Sequence, residues 1–597
     1  MTNAQTARVI LDDATPGCER LLRYASPRGV IAANNAGEVP AALAELQRAL
    51  ESGRHVAGYF GYELGHTLEE RLLSRLRGAQ PLLWFGVFDT VETFEGRKAA
   101  LLLESLSRGR AYAGPLEHEW SRQDYRSRFA RARELIAAGD IYQVNLSFRS
   151  RFIFLGDPLA LYRVLRESSH AAHGAYVDDG FRTILSLSPE LFFERARDGA
   201  ITARPMKGTA PRGADATADR QAASRLSESG KDRAENLMIV DLLRNDLSRI
   251  AEPGSVAVPS LFAVETYPTL HQMVSTVTAR MRRGTEVEDM VRALFPCGSI
   301  TGAPKIRAME IIGDLETSAR GVYCGAIGAF SPDGSARFNV AIRTATIEGR
   351  QGELGIGGAV VYDSQADDEY DECLLKARYF ESVREPISLI ETLGYAPQGG
   401  FTRLSLHLDR MTRSAQALGI PFDGAAAMRA LEENVAAHNG PRRMRLVLEE
   451  TGDLLCTSAP LPPSPARWTY AISPFRVGSS DALARHKTSW RGALDGEQAR
   501  LAQSCGADEA LFLNEQGRLA EGSRTNVFVS RGGRLFTPPL EDGALDGCLR
   551  RELLDAGRCE ERRLTPADLD SADAVYLGNS LRGLIPAVPV KEAERVG

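Results

Sequence analysis

Glu369, Glu372 and Lys376 are spaced i, i+3, i+7, so in a helix they share one face. Two carboxylates so placed, with Glu235 as a third oxygen donor, suit a hard cation such as Mg²⁺ whose shell is completed by water and an anionic substrate. The same residues also read as a solvated face carrying a Glu372–Lys376 ion pair, and Glu235 as an acidic residue favoured near a helix N-terminus. Lys207 lies in Pro205-Met206-Lys207-Gly208-Thr209, between a proline that fixes the backbone and a glycine that admits close approach. An amine, unlike a guanidinium, can lose its proton and act as a nucleophile; the plainer alternative is an exposed loop lysine. Only seven of the 72 basic residues are lysines (98, 207, 231, 305, 376, 487 and 591), which singles out each as a candidate for chemistry. His271 reads either as a functional imidazole or as a hydrogen-bonded core histidine. Arg403, Arg410 and Lys487, taken singly, read equally well as solvated charges.

These residues need elements to hold them. Apolar runs at 55–62, 82–88 and 101–106 read as strands, followed by a helix over 125–138 and strands over 143–154 and 183–194. Leu237, Val240, Leu243, Leu247 and Ile250 recur at spacings of three and four, which predicts a helix over 233–250. Gly298-Ser299-Ile300-Thr301-Gly302-Ala303-Pro304-Lys305 is a glycine-bearing loop before a helix, and 368–380 and 401–418 read as further helices. A new strand-rich pattern opens at Pro386, which sets a domain boundary near 384–387: one domain over 1–384 and a second over 387–597.

Hydrophobic residues make up 43 % and charged residues 25 %, with a net charge of −6, which excludes a disordered or collagen-like chain; the mixed strand and helix runs read as an α+β protein. That charge balance argues against nucleic-acid binding and offers no basic face to a membrane. No run of about 18 apolar residues is present, and the N-terminus lacks the pattern of an export signal. The eight cysteines include no CxxC pair, which predicts reduced thiols and a cytoplasmic setting.

Together with Gly139-Asp140-Ile141-Tyr142-Gln143-Val144-Asn145, Ser188-Pro189-Glu190, Lys231 to Asn236, Ala341-Ile342-Arg343-Thr344 and Gly357-Gly358, these motifs resemble the chorismate-utilising enzymes over nearly all of 50–383. The resemblance implies an α/β fold that holds Mg²⁺ against the ring carboxylate of chorismate. Metal contact would fall to Glu235, Glu369 and Glu372, and carboxylate binding to Tyr323, Arg343 and the backbone around Gly208, Thr301 and Gly357. A planar guanidinium at Arg343 is suited to bidentate carboxylate binding. Family members that use water as nucleophile carry a lysine base where this chain has Gln143; a glutamine cannot deprotonate water, which points to ammonia. Anthranilate synthases usually have alanine at the position of Lys207, whereas aminodeoxychorismate synthases have lysine. By that resemblance Lys207 attacks ring C2 covalently, Glu190 protonates the departing C4 hydroxyl, and His271 matches a histidine used near pyruvate elimination.

Residues 386–597 resemble fold-type IV pyridoxal-phosphate enzymes, which have two subdomains, and among them the aminodeoxychorismate lyases. The resemblance rests on Arg403-x-x-x-His407-x-x-Arg410, His486-Lys487-Thr488, Glu521-Gly522-Ser523-Arg524-Thr525-Asn526, Gly543 to Gly547 and Asn579-Ser580. It implies that Lys487 binds pyridoxal 5′-phosphate and Glu521 pairs with the pyridine nitrogen. Arg403, the amides of Cys548 and Leu549, and the Ser580 hydroxyl would hold the phosphate. Leu549 stands where the family often has threonine. The two halves together imply amination of chorismate and then pyruvate elimination to 4-aminobenzoate, for folate synthesis. No glutaminase motif surrounds a reactive cysteine, so a separate glutamine amidotransferase subunit is the expected ammonia source, with a homodimer through the C-terminal domain. Two alternatives remain: an anthranilate synthase fused to an aminotransferase of other specificity, or a C-terminal half that is a cofactor-free scaffold.

Overall fold

The computed structural model describes residues 7–78, 81–267 and 270–590; Lys591 and the first six residues lie outside them. The chain forms two compact units, the first from residues 1–106, 115–152 and 162–383, the second from 107–114, 153–161 and 384–597.

Two large sheets build the first unit. One runs in the order Gln143–Gly156, Gln351–Val360, Thr344–Glu348, Thr183–Ser188, His173–Asp178, Arg8–Asp13 and Arg20–Ala25. The other contains Met206–Pro211, Leu270–Arg280, Ala200–Ala203, Leu191–Arg195, Ala336–Val340, Ala326–Phe330, His55–Phe60, Leu83–Phe88 and Gly29–Ala33, in that order. Val9, Tyr24, Val177 and Ile184 from the first sheet meet Ala57, Tyr59, Trp84 and Phe88 from the second in one buried cluster. Burying each such large apolar side chain contributes about 1.5–3 kcal/mol.

The apolar run over 183–194 is not one strand. Pro189 ends Thr183–Ser188 in the first sheet, and Leu191–Arg195 starts in the second. Glu190 therefore sits where the chain passes from sheet to sheet. The run at 101–106 is a helix, Arg97–Leu106, and not the strand expected. Its Ala- and Leu-rich composition lacks β-branched residues, and Ala99 and Leu103, four apart, are the pair it buries.

Two helices carry the acidic residues. Gly230–Ser248 starts at a Ser229 cap whose side chain accepts from the Asp232 amide, and it buries Ile239, Val240, Leu243 and Leu247 while Leu237 stays exposed. Ala366–Glu381 buries Glu369, Tyr370, Cys373, Ala377 and Phe380, with Phe380 against Phe152 at a centroid distance of 4.7 Å.

The second unit has two sheets of its own. Gly400–Phe401, Leu389–Ala396, Arg442–Leu448 and Leu454–Pro460 are antiparallel and pack with the helices Leu404–Leu418 and Gly424–Ala436. The larger, mixed sheet includes Trp468–Val477, Glu509–Asn514, Leu519–Gly522, Asn526–Arg531, Ala574–Asn579 and Gly583–Pro589. Tyr112 is buried among Ile387, Leu389, Met411, Leu446 and Leu483 of this unit. Arg110 donates to Asp481 at 2.8 Å and to the Trp490 carbonyl at 2.8 Å, bracing the segment that carries Lys487. No helix among the described residues is long and apolar enough to cross a membrane.

Candidate active sites

In the first unit, Glu190 is 5 % exposed, and its Oε1 accepts from Ser299 Oγ at 2.7 Å. Ser299 belongs to the loop before the helix Lys305–Leu315, and Lys305 Nζ anchors that loop on Asp246 at 2.6 Å and on the Leu294 carbonyl at 2.9 Å. Burial pushes the Glu190 carboxyl up to about 7, against the Ser299 hydrogen bond and the Lys207 charge. Such a carboxyl is poised as a general acid near neutral pH.

Lys207 lies on the strand Met206–Pro211, within electrostatic reach of Glu235, Glu190, Glu372 and Lys376. Withdrawal from water lowers its amine pKa while the three carboxylates act in the opposite sense. The next residue, Gly208, has φ +80°, and a Cβ there would meet Asp232 at 2.8 Å. Only glycine suits that turn.

The three acidic residues face the same region. Burial raises the pKa of Glu235 and of Glu369, with Glu372 adding to the effect on both. Glu369 Oε1 accepts from Ser364 at 2.7 Å, and Glu372 is ion-paired with Lys376 at 2.8 Å. Lys376 also donates to the Gly357 carbonyl at 3.0 Å. Among the described residues these carboxylates are not gathered within the 4.8 Å spacing that a closed ligand set shows. Their donor chemistry nevertheless fits a hard dication, and their mutual repulsion is what such an ion would relieve.

Arg343 has φ +48°, a left-handed backbone rarely adopted without a packing reason, and its carbonyl accepts from the Leu187 amide just before Glu190. No carboxylate pairs with its guanidinium among the described residues, and burial lowers its pKa. Tyr323 packs its ring on Gly355, where a Cβ would fall 2.2 Å from the ring. Gly357 lies as close to Ser147, and Thr301 is buried with its hydroxyl on the Cys297 carbonyl at 2.8 Å. Gln143 is fully buried; its amide donates to Asn145 at 3.0 Å, and its Oε1 has no partner among the described residues.

The partners of His271 lie outside this group, although its strand pairs with the one that carries Lys207. Asp219 Oδ1 lies 2.9 Å from its Nε2 and Thr266 Oγ1 lies 3.0 Å from its Nδ1, so both ring nitrogens are taken by protein partners. Its neighbour Gln272, on the opposite face of the strand, donates to the Gly208 carbonyl at 2.7 Å.

The second unit holds a cavity of about 650 Å³ lined by Lys487, Glu521, His407, Arg410, Arg491 and Ser580, among others. Burial, with Arg410 and Arg491, brings the Lys487 amine down to about 8. Burial raises Glu521 to about 7, against the Leu545 amide that donates to it at 2.9 Å. The helix Cys548–Asp555 points its first turn at the cavity, and a Cβ on Gly547, its cap, would strike Asn526 Oδ1 at 2.0 Å. Leu549 does not supply a hydroxyl; its side chain packs with Phe528, Leu553 and Cys559.

Arg403 does not line this cavity. Its guanidinium is held by Glu552 at 2.6 Å and by the Ser580 carbonyl at 3.0 Å, and its backbone is left-handed at φ +56°. Of the two arginines in this motif, Arg410 is the one in the wall, three residues beyond His407 on the same helical face.

The chorismate binding enzyme family matches residues 6–382, well over half of the sequence. The chain belongs to the chorismate binding enzymes. Residues 388–590 match the amino-transferase class IV family, so a domain of that class follows the first. Aminodeoxychorismate synthase component 1 of Salmonella typhimurium is 41 % identical over 333 residues, 53 % of this chain and 73 % of that protein. Aminodeoxychorismate synthase of Streptomyces griseus is 47 % identical over 264 residues, 44 % of this chain and 36 % of that protein. Anthranilate synthase component I from Streptococcus pneumoniae matches in structure with a TM-score of 0.53 and 26 % identity, covering 61 % of this chain and 92 % of that one.

Proposed function

We propose that the first unit aminates chorismate to 4-amino-4-deoxychorismate and that the second eliminates pyruvate from this product to give 4-aminobenzoate. The observation that carries the first step is Lys207 beside a carboxyl pushed up to about 7 and a set of carboxylates. In its neutral form the Lys207 amine attacks ring C2, the double bonds shift, and the C4 hydroxyl leaves as water with the Glu190 proton. Ammonia then adds at C4 and expels the Lys207 amine, so chorismate and ammonia give the amine and water. Arg343, free of any carboxylate among the described residues, is suited to a substrate carboxylate. Glu235, Glu369 and Glu372 would hold Mg²⁺, which would neutralise the ring carboxylate. The relatives named component 1 support a separate glutamine amidotransferase as the source of ammonia.

In the second unit, Lys487, Glu521, Arg410 and the amides at Cys548 and Leu549 fit pyridoxal phosphate: an amine, an acid for the pyridine nitrogen, and donors for a phosphate. When bound, that group supplies an electron sink for a carbanion at C4. Lys487, brought to about 8, is suited to take the C4 proton as pyruvate departs. We infer that the 4-aminobenzoate formed serves folate biosynthesis in the cytoplasm.

The two lysines separate the steps. Lys487→Ala should consume chorismate and stop at the aminated intermediate, whereas Lys207→Ala should lose chorismate consumption by orders of magnitude. Unchanged turnover in Lys207→Ala removes the covalent role. Anthranilate as the product would favour the anthranilate synthase alternative.

A further inference from the structure

From the wall of the second unit's cavity inward, three side chains form a line. Glu391 Oε2 lies 2.5 Å from His407 Nδ1, and His407 Nε2 lies 2.6 Å from Ser580 Oγ. Glu391 comes from the strand Leu389–Ala396, His407 from the helix Leu404–Leu418, and Ser580 follows the strand Ala574–Asn579; all three are buried. Arg410 grips the same carboxylate through Nε at 2.9 Å and Nη2 at 2.6 Å. Burial opposes ionisation of Glu391, but Arg410 and His407 overrule it and hold the carboxyl down at about 2.

The polarity of these hydrogen bonds follows. A carboxylate only accepts, so His407 Nδ1 carries a hydrogen. In a neutral imidazole Nε2 is then a bare lone pair, and it takes the hydrogen of the Ser580 hydroxyl. Ser580 would present only lone pairs to the cavity, which repel a phosphate dianion, itself an acceptor. With a proton on Nε2 the bond reverses: the imidazolium donates to Ser580 Oγ, and the hydroxyl hydrogen is free to point at the phosphate.

We propose that His407 is a positioning residue that takes up a proton when a phosphate group enters this cavity, turning the Ser580 hydroxyl from acceptor to donor. The inference rests on the pyridoxal-phosphate reading of the site. The charges favour it: Glu391 and Arg410 sum to zero, so the imidazolium adds a positive charge beside the incoming anion. Other titratable and charged groups near this line are Cys548 from the helix Cys548–Asp555, Arg403, which donates to the Ser580 carbonyl while paired with Glu552, and, through Glu391 and Arg410, Lys487. Glu391, His407 and Cys548 also lie within 4.8 Å of one another, as metal ligands would. Burial pushes the Cys548 thiol up to about 12 and Glu391 is already saturated by Arg410 and His407, which favours the proton over a metal ion.

The test uses the full chain freed of cofactor and labelled with ¹⁵N-histidine, with the His407 signals assigned by their loss in His407→Gln. Inorganic phosphate or pyridoxal phosphate should convert Nε2 from the unprotonated to the protonated signature at a pH where the free protein shows it bare; pyridoxal, lacking the phosphate, should not. The affinity ratio of pyridoxal phosphate to pyridoxal should fall with rising pH, by up to about tenfold per unit. In His407→Gln, whose amide N–H donates at any pH, the ratio should lose that fall. A bare Nε2 in the phosphate-bound protein, or the wild-type slope retained in His407→Gln, overturns the relay. If pyridoxal phosphate gives no Lys487-dependent absorbance, the cofactor reading itself fails and the relay falls with it.

Discussion

Removing the Ser299 hydroxyl should move the pH profile of the amination in a defined direction. Ser299 Oγ sits 2.7 Å from Glu190 Oε1 and favours the ionised carboxylate, while burial has already pushed that carboxyl to about 7. A hydrogen bond to a charged group is worth about 1.5–3 kcal/mol, and one pKa unit corresponds to about 1.4 kcal/mol. Ser299→Ala should therefore raise the Glu190 pKa by about one to two units. Glu190 acts in its protonated form, so the alkaline limb governed by this acid should shift to higher pH by that amount, and Ser299→Thr should restore it. The assay is chorismate consumption against pH with free ammonia held constant, since ammonium titrates in the same region. An alkaline limb that stays in place, or moves to lower pH, refutes the link between Ser299 and the acid.

Other outcomes follow from the same geometry. Glu369→Gln should raise the Mg²⁺ concentration for half-maximal amination by at least about tenfold, read by chelation and metal add-back; an unchanged requirement argues against Glu369 as a ligand. Tyr112→Ala should destabilise the second unit by about 3–5 kcal/mol, because the ring is fully buried among Ile387, Met411 and Leu483. A fragment starting at residue 384 lacks Tyr112, Arg110 and Leu155 and should unfold earlier than the second unit of the intact chain in a thermal melt. Equal stability would show that these segments are dispensable.

Periodicity made much of this legible in the sequence. The spacing of Val240, Leu243 and Leu247 marks a buried helical face because a helix must turn that stripe inward, although Leu237, on the same pattern, is exposed. Glu369 and Glu372 fall where the i, i+3 rule places them, on a helix anchored by Phe380. The apolar run at 101–106 misled because, over six residues, a helix and a buried strand have the same composition. Pro189 was visible, but its effect, handing the chain from one sheet to the other at Glu190, depends on pairing that no local pattern encodes. The same holds for Arg403 and Arg410: both are arginines near one helix start, and only packing shows that Glu552 and the Ser580 carbonyl take the first while the second faces the cavity. That residues 107–114 and 153–161 belong to the second unit is likewise a tertiary property, set by where Tyr112 and Leu155 find an apolar surface.

The central claim, that one chain carries chorismate through an aminated intermediate to an aromatic amine, is tested most directly by mass identification of the products. The purified chain is supplied with chorismate, ammonium and Mg²⁺, with and without pyridoxal phosphate. The expected result is 4-aminobenzoate and pyruvate when the cofactor is present, and 4-amino-4-deoxychorismate when it has been removed. Formation of anthranilate, or chorismate left untouched under both conditions, would contradict the account.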